Sequence, residues 1–399
     1  MEKSEHLIIV AGEASGDLHA SFLVDEIKRL DGAITFSGLG GELMQKSGVP
    51  LYENLVDLAV VGFAEVIRHL GKFQRMFDMI LNKIEETRAA GVVLIDYPGF
   101  NLRLAREIKR RGLPTKVIYY ISPQVWAWKE NRVRVIKNFV DKMLVILPFE
   151  KEFYGRRDLD VTFVGHPLLD EIQVTRPPED FLSSIGLSPE KPACQVVKMA
   201  GRPVVALLPG SRQREIERLL PVMLKAASLL YQDNRRLQFV LIKAPTVEMR
   251  TIERYATNVP FPLKIITEER YNALNAATLC LVASGTATLE AAILQKPMVI
   301  VYKTSLLTWI LARLLIRIPY IGLVNVVAQK KIVPECVQFQ ATSGKIASEA
   351  KSLYKDEFKM KNIRAQLKKV KETLGEPHAS RRAAQEVLKV MGKNPAVAN

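Results

Sequence analysis

Short apolar runs alternate with longer amphipathic segments along most of the chain. The run HLIIVAG precedes a helical pattern from about Asp17 to Leu30, and VVLIDYPG precedes FNLRLAREIKRRG. KVIYYIS, KMLVILP and VTFVGHP continue the series in the first half of the sequence. Apolar runs of this length bounded by turn residues indicate buried strands, whereas the segments between them have helical periodicity. The pattern predicts an α/β fold in which helices cover a mostly parallel sheet.

This alternation is interrupted once, in the middle of the chain. Between Pro167 and Pro203 the segments TRPPEDF, LSPEKPAC and AGRP are rich in proline and polar residues, as connections between domains often are. The alternation resumes at PVVALLPGSR and extends to KPMVIVYK. We therefore predict two Rossmann-like domains that face each other across a cleft. The predicted parts are an N-terminal domain over residues 1–170, a connection over 171–202, a C-terminal domain over 203–350, and C-terminal helices over 351–399 that pack back toward the first domain.

The charge balance narrows the partners to consider. Lysine and arginine number 57 against 42 aspartates and glutamates, which leaves a net charge of +15 over 399 residues. Such an excess favours an anionic partner: a nucleic acid, an anionic membrane surface or a phosphorylated substrate. The basic residues are dispersed over the predicted helices and are not interleaved with aromatic residues on one face, so a nucleic-acid-binding protein is kept only as an alternative.

The cysteines and the apolar runs indicate a protein of the reducing cytoplasm. Cys194, Cys280 and Cys336 are odd in number and far apart, which argues against a disulfide framework and against a cysteine-based zinc site. The first residues, MEKSEHLIIVAGEASGD, predict a β-strand and not a secretory signal. The run LLTWILARLLI is interrupted by Arg313 and falls short of the about 18 apolar residues of a spanning helix.

Two predicted strand ends in the first half carry candidate chemistry. In GEASGD, Glu13, Ser15 and Asp17 follow the first strand, where Ser15 or Asp17 could cap the next helix or the residues could face a ligand. In IDYPGFN, Asp96 and Asn101 follow an apolar strand, at the end where doubly wound sheets place their sites. Partial burial would raise the pKa of Asp96 and suit it to act as a general base, and the alternative is that it caps the following helix.

The second half carries a turn suited to an anion. In LLPGSRQREI, Gly210 and Ser211 allow backbone N–H groups to approach a ligand. Arg212 adds a positive charge at a helix start, where the helix dipole favours a negative one. Arg212 therefore predicts an anion beside it, and the alternative is a surface ion pair with Glu215 or Glu217.

A second such turn, SGTATLE, joins a strand to a helix. Its small and hydroxyl-bearing residues could cap the helix or hold a phosphate on the unpaired N–H groups of a helix start. Together with the PGSR turn it predicts a diphosphate site without a metal ion, in which Glu290 accepts hydrogen bonds from both ribose hydroxyls. The residues of the turn are Ser284, Gly285, Thr286, Ala287 and Thr288.

Neither a cofactor nor a metal ion is predicted. The chain lacks the GxGxxG dinucleotide fingerprint, and its five histidines show no metal-ligand spacing. The triplet DLD, from Asp158 to Asp160, matches a metal-binding D-x-D pattern, but its position between GRR and a strand favours a solvated turn. His166 ends a strand near the proposed cleft, where it either touches the ligand or is a structural histidine.

Seven motifs together point to a family. GEASGD, IDYPGFN, SPQVWAWK, GHPLLD, LLPGSRQREI, SGTATLE and VNVVAQKKIVPECVQ stand in this order, and the chain resembles the lipid-A-disaccharide synthases over nearly its whole length. The resemblance implies the two-Rossmann glycosyltransferase B architecture and the joining of UDP-2,3-diacylglucosamine to 2,3-diacylglucosamine 1-phosphate. It also implies inversion at the anomeric carbon, a β-1′,6 linkage and release of UDP, on the cytoplasmic side of the inner membrane of Gram-negative bacteria. A UDP-N-acetylglucosamine 2-epimerase, which shares the fold, is the alternative enzyme.

The resemblance also implies roles for single residues. Asp96 is the expected base for the acceptor 6-hydroxyl, and we keep Glu13 as the alternative base. Arg212 is expected near the donor phosphates, and the stretch from Ser284 to Glu290 is expected at UDP.

The last motif adds further residues to the expected donor site. Asn325 corresponds to the family's asparagine, and Glu335 and Gln338 follow it. One departure is Val324, where many members have proline.

Two apolar stretches predict contact with lipid. VVGFAEVIRHLGKFQRMF has one apolar helical stripe, and LLTWILARLLIRIPYI combines Trp309 with two arginines. Such helices can lie in a membrane interface, where anionic lipids would attract the net positive charge, and the alternative is that both stripes are core. We therefore expect a peripheral protein of the inner membrane. The stripe of the first stretch comprises Phe63, Val66, Ile67, Leu70 and Phe73.

Overall fold

The computed structural model describes residues 5–56, 70–187, 202–315 and 318–393. These residues form two compact units. The first unit consists of the chain up to Leu169 and from Leu374 onward, and the second consists of Asp170–Thr373. Both are parallel α/β units, so the predicted fold class is confirmed.

The first unit is built on one parallel sheet of seven strands. Its strands are β1 (His6–Ala11), β2 (Thr35–Gly40), β3 (Leu51–Asn54), β4 (Gly91–Ile95), β5 (Lys116–Tyr120), β6 (Lys142–Val145) and β7 (Thr162–Phe163). Its helices are α1 (Ala14–Leu30), α2 (Glu42–Lys46), α3 (Leu70–Glu86), α4 (Pro98–Arg110), α5 (Arg132–Phe139), α6 (Pro148–Gly155) and, from the C-terminal part of the chain, α17 (Ala379–Val390). The strand order is β3-β2-β1-β4-β5-β6-β7. Every residue of β4 is buried, as is typical of a parallel strand covered on both faces.

Alternate residues of the central strands belong to two cores, one on each face of the sheet. Ile8 of β1 belongs to the core that includes Ile80 of α3, whereas Ile9 belongs to the core that includes Leu23 of α1 and Leu388 of α17. Helix α17 therefore completes a core whose other members come from the first part of the chain.

The second unit is built on a parallel sheet of six strands. Its strands are β8 (Val204–Leu208), β9 (Gln238–Ile242), β10 (Leu263–Ile266), β11 (Leu279–Ala283), β12 (Met298–Tyr302) and β13 (Glu335–Val337), in the order β10-β9-β8-β11-β12-β13. Helix α7 (Leu168–Glu171) lies where the chain passes from the first unit to the second. The other helices are α8 (Pro178–Ser184), α9 (Gln213–Asp233), α10 (Met249–Ala256), α11 (Arg270–Ala276), α12 (Ala287–Ile293), α13 (Leu306–Leu315), α14 (Leu323–Val327), α15 (Ser343–Tyr354) and α16 (Glu357–Thr373), with a 3-10 turn at Gln338–Gln340.

The C-terminal helices differ from the expected tail over residues 351–399. Helix α15 packs on α9, and α16 packs on α12, so both belong to the second unit. Only the chain from Leu374 onward joins the first unit. There Arg382 Nε donates to the carbonyl of Val164 at 2.8 Å, and Lys142 Nζ lies 3.1 Å from Glu386 Oε2.

In both units the strand order reverses beside the first strand. β2 and β3 lie on one side of β1 and β4 on the other, while β9 and β10 lie on one side of β8 and β11 on the other. Such a switch point leaves a crevice at the carboxyl ends of two strands, where doubly wound sheets bind ligands. GEASGD and IDYPGFN follow β1 and β4, and PGSR and SGTATLE follow β8 and β11. The four motifs therefore lie at the two switch points.

The first predicted membrane stretch is only partly covered by the structure. Phe63, Val66 and Ile67 lie outside the described residues, as does the side chain of Leu70. Phe73 lies in α3 and is partly buried against the core on that face of the sheet. For Phe73 the core alternative therefore describes the structure better than a lipid-facing position.

The second stretch forms α13, which exposes large apolar side chains. Leu306, Ile310, Leu314 and Leu315 are 56%, 49%, 77% and 55% exposed, so these residues are not core. Within the described ranges, no helix combines the length and the apolar character needed to cross a membrane.

Candidate functional site

The two anion-type turns of the second unit start from neighbouring strands. Leu207 of β8 pairs with Leu281 of β11, and Leu208 pairs with Val282. Because the strands are parallel, the turns that follow them leave the same edge of the sheet side by side.

The PGSR turn already holds a carboxylate. Gly210 has a φ of +119°, and the Ser211 N–H donates to Glu215 Oε2 at 3.2 Å. A Cβ atom at Gly210 would lie 2.7 Å from the same Glu215 oxygen, so glycine is required for this approach. Arg212 is exposed at the N-cap of α9, a helix of 21 residues. The turn therefore presents the Ser211 N–H to an internal anion, Glu215, at the helix start where Arg212 is exposed.

The SGTATLE turn uses its hydroxyls for the fold. Ser284 Oγ donates to the carbonyl of Ile321 at 2.9 Å, and the buried Thr288 donates to the carbonyl of Gly285 at 2.8 Å. The N-cap residue of α12, Thr286, makes no side-chain capping bond in the described structure, and it is exposed. The hydroxyls of Ser284, Thr286 and Thr288 therefore do not serve as the N-cap of α12. Gly285 has a φ of +150°, and a Cβ atom there would meet open space, so the backbone of Gly285 is accessible.

Glu290 lies one turn into α12 in a cluster of charged side chains. Its carboxylate is only 13% exposed and lies 3.6 Å from Arg270 Nη2. The same nitrogen donates to Glu171 Oε1 at 2.5 Å, and the Tyr271 hydroxyl donates to that oxygen at 2.8 Å. Burial raises the pKa of Glu290, Arg270 opposes the rise and Glu171 adds to it. Arg270, Tyr271 and Glu171 were not predicted from the sequence, since about a hundred residues separate Glu171 from its partners.

Asn325 was expected at the donor, and the structure corrects this. It is completely buried, and its side chain bonds only to nearby chain. Its Nδ2 donates to the carbonyl of Val333 at 3.0 Å and to Glu335 Oε1 at 2.8 Å, and its Oδ1 accepts from the N–H groups of Ile332 and Val333 at 2.9 and 3.1 Å. An amide with two donors and two acceptor positions has no capacity left for a ligand. In this structure Asn325 therefore holds the loop with every hydrogen-bonding position of its amide.

Glu335 and Gln338 hold the neighbouring loops in place. Glu335 accepts from the N–H groups of Ile321 and Gly322 at 3.1 and 3.0 Å, and Ile321 is the residue that receives the Ser284 hydroxyl. Gln338 exchanges hydrogen bonds of 3.0 and 3.1 Å with the backbone of Thr304. The VNVVAQKKIVPECVQ motif is thus a structural support for the SGTATLE turn.

In the first unit, Asp96 lies on a strained turn. Asp96 and Tyr97 both have left-handed backbones, with φ of 46° and 44°, and each such residue costs about 1–3 kcal/mol. The Asp96 carbonyl accepts from the Tyr119 hydroxyl and, at 2.8 Å, from Asn101 Nδ2. The N-cap residue of α4 is Tyr97, and Asp96 precedes it in the same turn. Asp96 is partly exposed at the switch point, and these two hydrogen bonds hold its strained backbone in place.

Asn101 is one of the supports of this turn. It is completely buried, and its Nδ2 also donates to the carbonyl of Ile95 at 3.1 Å. The expected position in the acceptor cleft is therefore corrected to a position behind the Asp96 turn.

The two motifs of the first unit pack directly on each other. A Cβ atom at Gly12 would lie 2.3 Å from Cδ1 of Tyr97, so the Tyr97 ring covers Gly12. Burial raises the pKa of Tyr97, and the nearby charge of Glu13 adds to the rise. Glu13 is the N-cap of α1 and Ser15 is exposed in its first turn. Glu13 therefore lies close to the Asp96 turn.

Asp17 was expected in the cleft, and the structure corrects this too. It is 4% exposed and accepts from the N–H groups of Gly41, Met44 and Leu43 at 2.8, 3.1 and 3.0 Å. These are the first N–H groups of α2, which a carboxylate satisfies well. Asp17 therefore ties α1 to α2.

His166 is buried with a second histidine, His19. His166 is 4% exposed, and its Nδ1 accepts from the Leu168 N–H at 3.2 Å. Burial lowers the pKa of His166 to about 3, with His19 adding to the shift, and burial lowers the pKa of His19 to about 4. Of the two alternatives for His166, the structure favours the structural histidine.

Glu150 is a buried acid that the sequence did not single out. It is 1% exposed, and burial raises its pKa to about 7. Its carboxylate accepts from Trp126 Nε1 at 3.1 Å and from the Leu147 N–H at 3.0 Å. Glu150 therefore links Trp126 of the SPQVWAWK motif to Leu147, just after the end of β6.

The DLD triplet lies on the surface. Asp158 has a φ of 52° in a turn, its side chain is 94% exposed, and Asp160 is also exposed. Within the part of the chain that the structure describes, no group of three or more His, Cys, Asp or Glu side chains is placed to hold a metal ion. Cys280 and Cys336 are buried free thiols.

Comparison with known proteins is consistent with these motifs. A family model described as Lipid-A-disaccharide synthetase matches residues 7–390. The lipid-A-disaccharide synthase of Syntrophus aciditrophicus is 41% identical over 392 residues, covering 98% of this chain and 99% of the relative. That of Geobacter sulfurreducens is 40% identical over 390 residues, covering 98% of both.

Solved structures share the architecture at low identity. The UDP-GlcNAc 2-epimerase from Neisseria meningitidis, bound to UDP-GlcNAc, superposes with a TM-score of 0.63 at 11% identity, over 96% of this chain and 100% of that one. The glycotransferase of kitacinnamycin gives a TM-score of 0.61 at 14% identity, over 97% and 99%. At these identities the likeness shows the fold alone.

Proposed function

Because the chain belongs to the lipid-A-disaccharide synthase family, we propose that it joins UDP-2,3-diacylglucosamine to 2,3-diacylglucosamine 1-phosphate. Family membership makes the protein a glycosyltransferase and implies a UDP-sugar donor and a phosphosugar acceptor. The acyl groups, the β-1′,6 linkage and inversion at the donor carbon are the finer part of the proposal. The epimerase and the nucleic-acid-binding alternatives are not favoured.

In the proposed reaction, Asp96 is the general base. The acceptor 6-oxygen attacks the anomeric carbon of the donor while its proton passes to the Asp96 carboxylate. The bond from that carbon to the diphosphate breaks, and UDP leaves with the electron pair. Attack from the opposite side to the leaving group inverts the centre. Support comes from the strained turn, since the Tyr119 and Asn101 bonds fix the backbone that carries the carboxylate.

Arg212 and the two turns of the second unit are proposed to bind the diphosphate. Negative charge grows on the leaving UDP, so a fixed guanidinium and helix-start N–H groups stabilise the transition state more than the ground state. The observation that carries this proposal is the placement of PGSR and SGTATLE on the paired strands β8 and β11. Binding of the diphosphate would displace Glu215 from the Ser211 N–H. Glu290 is proposed to accept hydrogen bonds from the ribose hydroxyls.

We further propose that the protein works as a peripheral protein at the inner membrane. The exposed apolar side chains of α13, with partly buried Trp309 among them and exposed Arg313 beside them, suit the interface between headgroups and acyl chains. The net charge of +15 favours anionic lipid.

The test is product formation from defined substrates. The protein is incubated with UDP-2,3-diacylglucosamine and 2,3-diacylglucosamine 1-phosphate in detergent. Products are identified by mass spectrometry, and two-dimensional proton–carbon NMR gives the position and the anomeric configuration of the new glycosidic bond. A tetraacyl disaccharide 1-phosphate with a β-1′,6 bond and one UDP per bond is expected. Epimerised UDP-sugar without a disaccharide, or an α linkage, would overturn the proposal.

A further inference from the structure

Arg270 links two buried carboxylates of the second unit. Its Nη2 lies 2.5 Å from Glu171 Oε1 and 3.6 Å from Glu290 Oε1, and the three side chains are 29%, 14% and 13% exposed. The Tyr271 hydroxyl completes the contact with Glu171. Arg270 is therefore bound tightly on the Glu171 side, while its approach to Glu290 is looser than a hydrogen bond.

Because of this asymmetry, the charge of Arg270 lies beside the Glu290 carboxylate without a hydrogen bond between them. The carboxylate oxygens can therefore still accept hydrogen bonds from a ligand. A buried carboxylate without a neutralising partner would take up a proton or turn toward solvent. A cation held from behind by a second carboxylate opposes that protonation and limits its rotation. With Arg270 held at 2.5 Å from Glu171, its distance of 3.6 Å to Glu290 leaves that carboxylate free of a hydrogen bond from the guanidinium.

We propose that Arg270, anchored by Glu171, is a positioning residue that fixes the Glu290 carboxylate for the two hydroxyls of the donor ribose. The inference rests on the proposed function, in which Glu290 is the group that contacts the ribose. It adds that recognition of a ribonucleotide, as opposed to a deoxyribonucleotide, depends on a residue that does not touch the nucleotide.

The experiment compares UDP with 2′-deoxy-UDP by calorimetry. A hydrogen bond to a charged group corresponds to roughly 10- to 100-fold in affinity, so wild-type protein is expected to prefer UDP by about that factor. Glu290→Gln should reduce the preference to a few-fold. Arg270→Met should reduce it similarly, and Arg270→Lys should give an intermediate value because the shorter lysine keeps the charge but not the reach and planar geometry of the guanidinium. The matched control is Arg176→Met, which removes the 3.2 Å contact of Arg176 with Glu269 next to Arg270 and should leave the preference unchanged.

Each outcome separates the two hypotheses. If Glu290→Gln keeps the wild-type preference, the proposed ribose contact of Glu290 is wrong. If Glu290→Gln loses the preference and Arg270→Met keeps it, the inference about Arg270 is wrong. In the double variant Glu290→Gln with Arg270→Met, no further loss is expected, and a further loss would mean that Arg270 contacts the nucleotide directly. If Arg270→Met does not fold in a thermal melt, Arg270→Lys decides, and a wild-type preference in that variant overturns the inference.

Discussion

The Tyr119 hydroxyl donates a hydrogen bond to the carbonyl oxygen of Asp96, on the turn that also presents the Asp96 carboxylate. Tyr119 is completely buried in β5, and burial raises its pKa well above the ordinary value, so it stays a donor at all relevant pH. The position of the proposed base is therefore set by the neighbouring strand as well as by its own.

Asp96→Asn should abolish most of the turnover without affecting UDP binding. Loss of a general base costs roughly two to four orders of magnitude in rate, whereas the amide keeps the size of the side chain. Steady-state kinetics with calorimetric UDP titration and a thermal melt check this expectation. Turnover near the wild-type rate would transfer the role to Glu13, which lies beside the same turn.

Arg212→Ala should weaken UDP binding and slow turnover together. The guanidinium is expected to bind the diphosphate in the ground state and more strongly in the transition state. Arg214→Ala, at an exposed position in the same helix start, is the matched control and should change neither value. Activity should persist in excess EDTA. Activity restored only by magnesium would contradict the proposal and direct attention to Asp158 and Asp160.

Gly12→Ala should destabilise the first unit by about 1–3 kcal/mol, because the new methyl group overlaps the Tyr97 ring. Urea unfolding measures the change in the free energy of unfolding. Gly99→Ala, where an added methyl meets nothing within 4 Å, is the control and should be neutral or stabilising. Combining Gly12→Ala with Tyr97→Leu should recover most of the loss, and a double variant as unstable as the single one would contradict the overlap.

His166 should make the protein less stable in acid. In the unfolded chain a histidine takes up a proton below about pH 6.5, whereas folded His166 resists protonation until its pKa of about 3, so stability falls as pH drops through this window. His166→Asn keeps an acceptor for the Leu168 N–H and should remove about 2 kcal/mol of the loss between about pH 7.5 and pH 5. Urea unfolding at both pH values tests this. His378→Asn, at an exposed turn, should follow wild type, and a His166→Asn curve parallel to wild type would contradict the expectation.

Replacing Ile310 and Leu314 with serine should reduce binding to anionic vesicles without lowering the melting temperature. Each side chain is largely exposed, so its burial in the interface contributes to binding and not to folding. Loss of two such contacts corresponds to at least about a tenfold drop in the vesicle partition coefficient measured by pelleting. Leu229→Ser, at an exposed position in α9, is the control. A lower melting temperature with unchanged binding to vesicles would mean that α13 stabilises the fold and does not bind the membrane.

The pattern of apolar runs predicted the strand ends well, because each run ends where a buried strand must turn. It therefore placed all four motifs at strand ends, and the strand order of the structure shows that these ends flank the two switch points. What it could not distinguish was a polar side chain that faces a ligand from one that satisfies backbone groups. Asp17 and Asn325 have the residue types of a site, yet their partners are N–H and C=O groups that only tertiary folding brings near.

Contacts between residues far apart in the sequence could not be predicted from the pattern either. No local pattern connects Glu171 with Arg270, and nothing in the lysine-rich C-terminal helices indicates that they divide at Thr373 between two units. The roles assigned to Asp96, Arg212 and Glu290 stay predictions until the variants are measured.

The discontinuity of the first unit has a consequence for synthesis on the ribosome. All seven strands of its sheet are translated early, but α17, which supplies Ala384 and Leu388 to one of its cores, is translated after the whole second unit. The second unit is continuous from Asp170 to Thr373, so it can be completed first, reversing the usual order in which domains form as the chain emerges. Until α17 is translated, α1 covers only part of that sheet face, so the nascent chain exposes the rest of this apolar core, and that interval is when a chaperone would be needed.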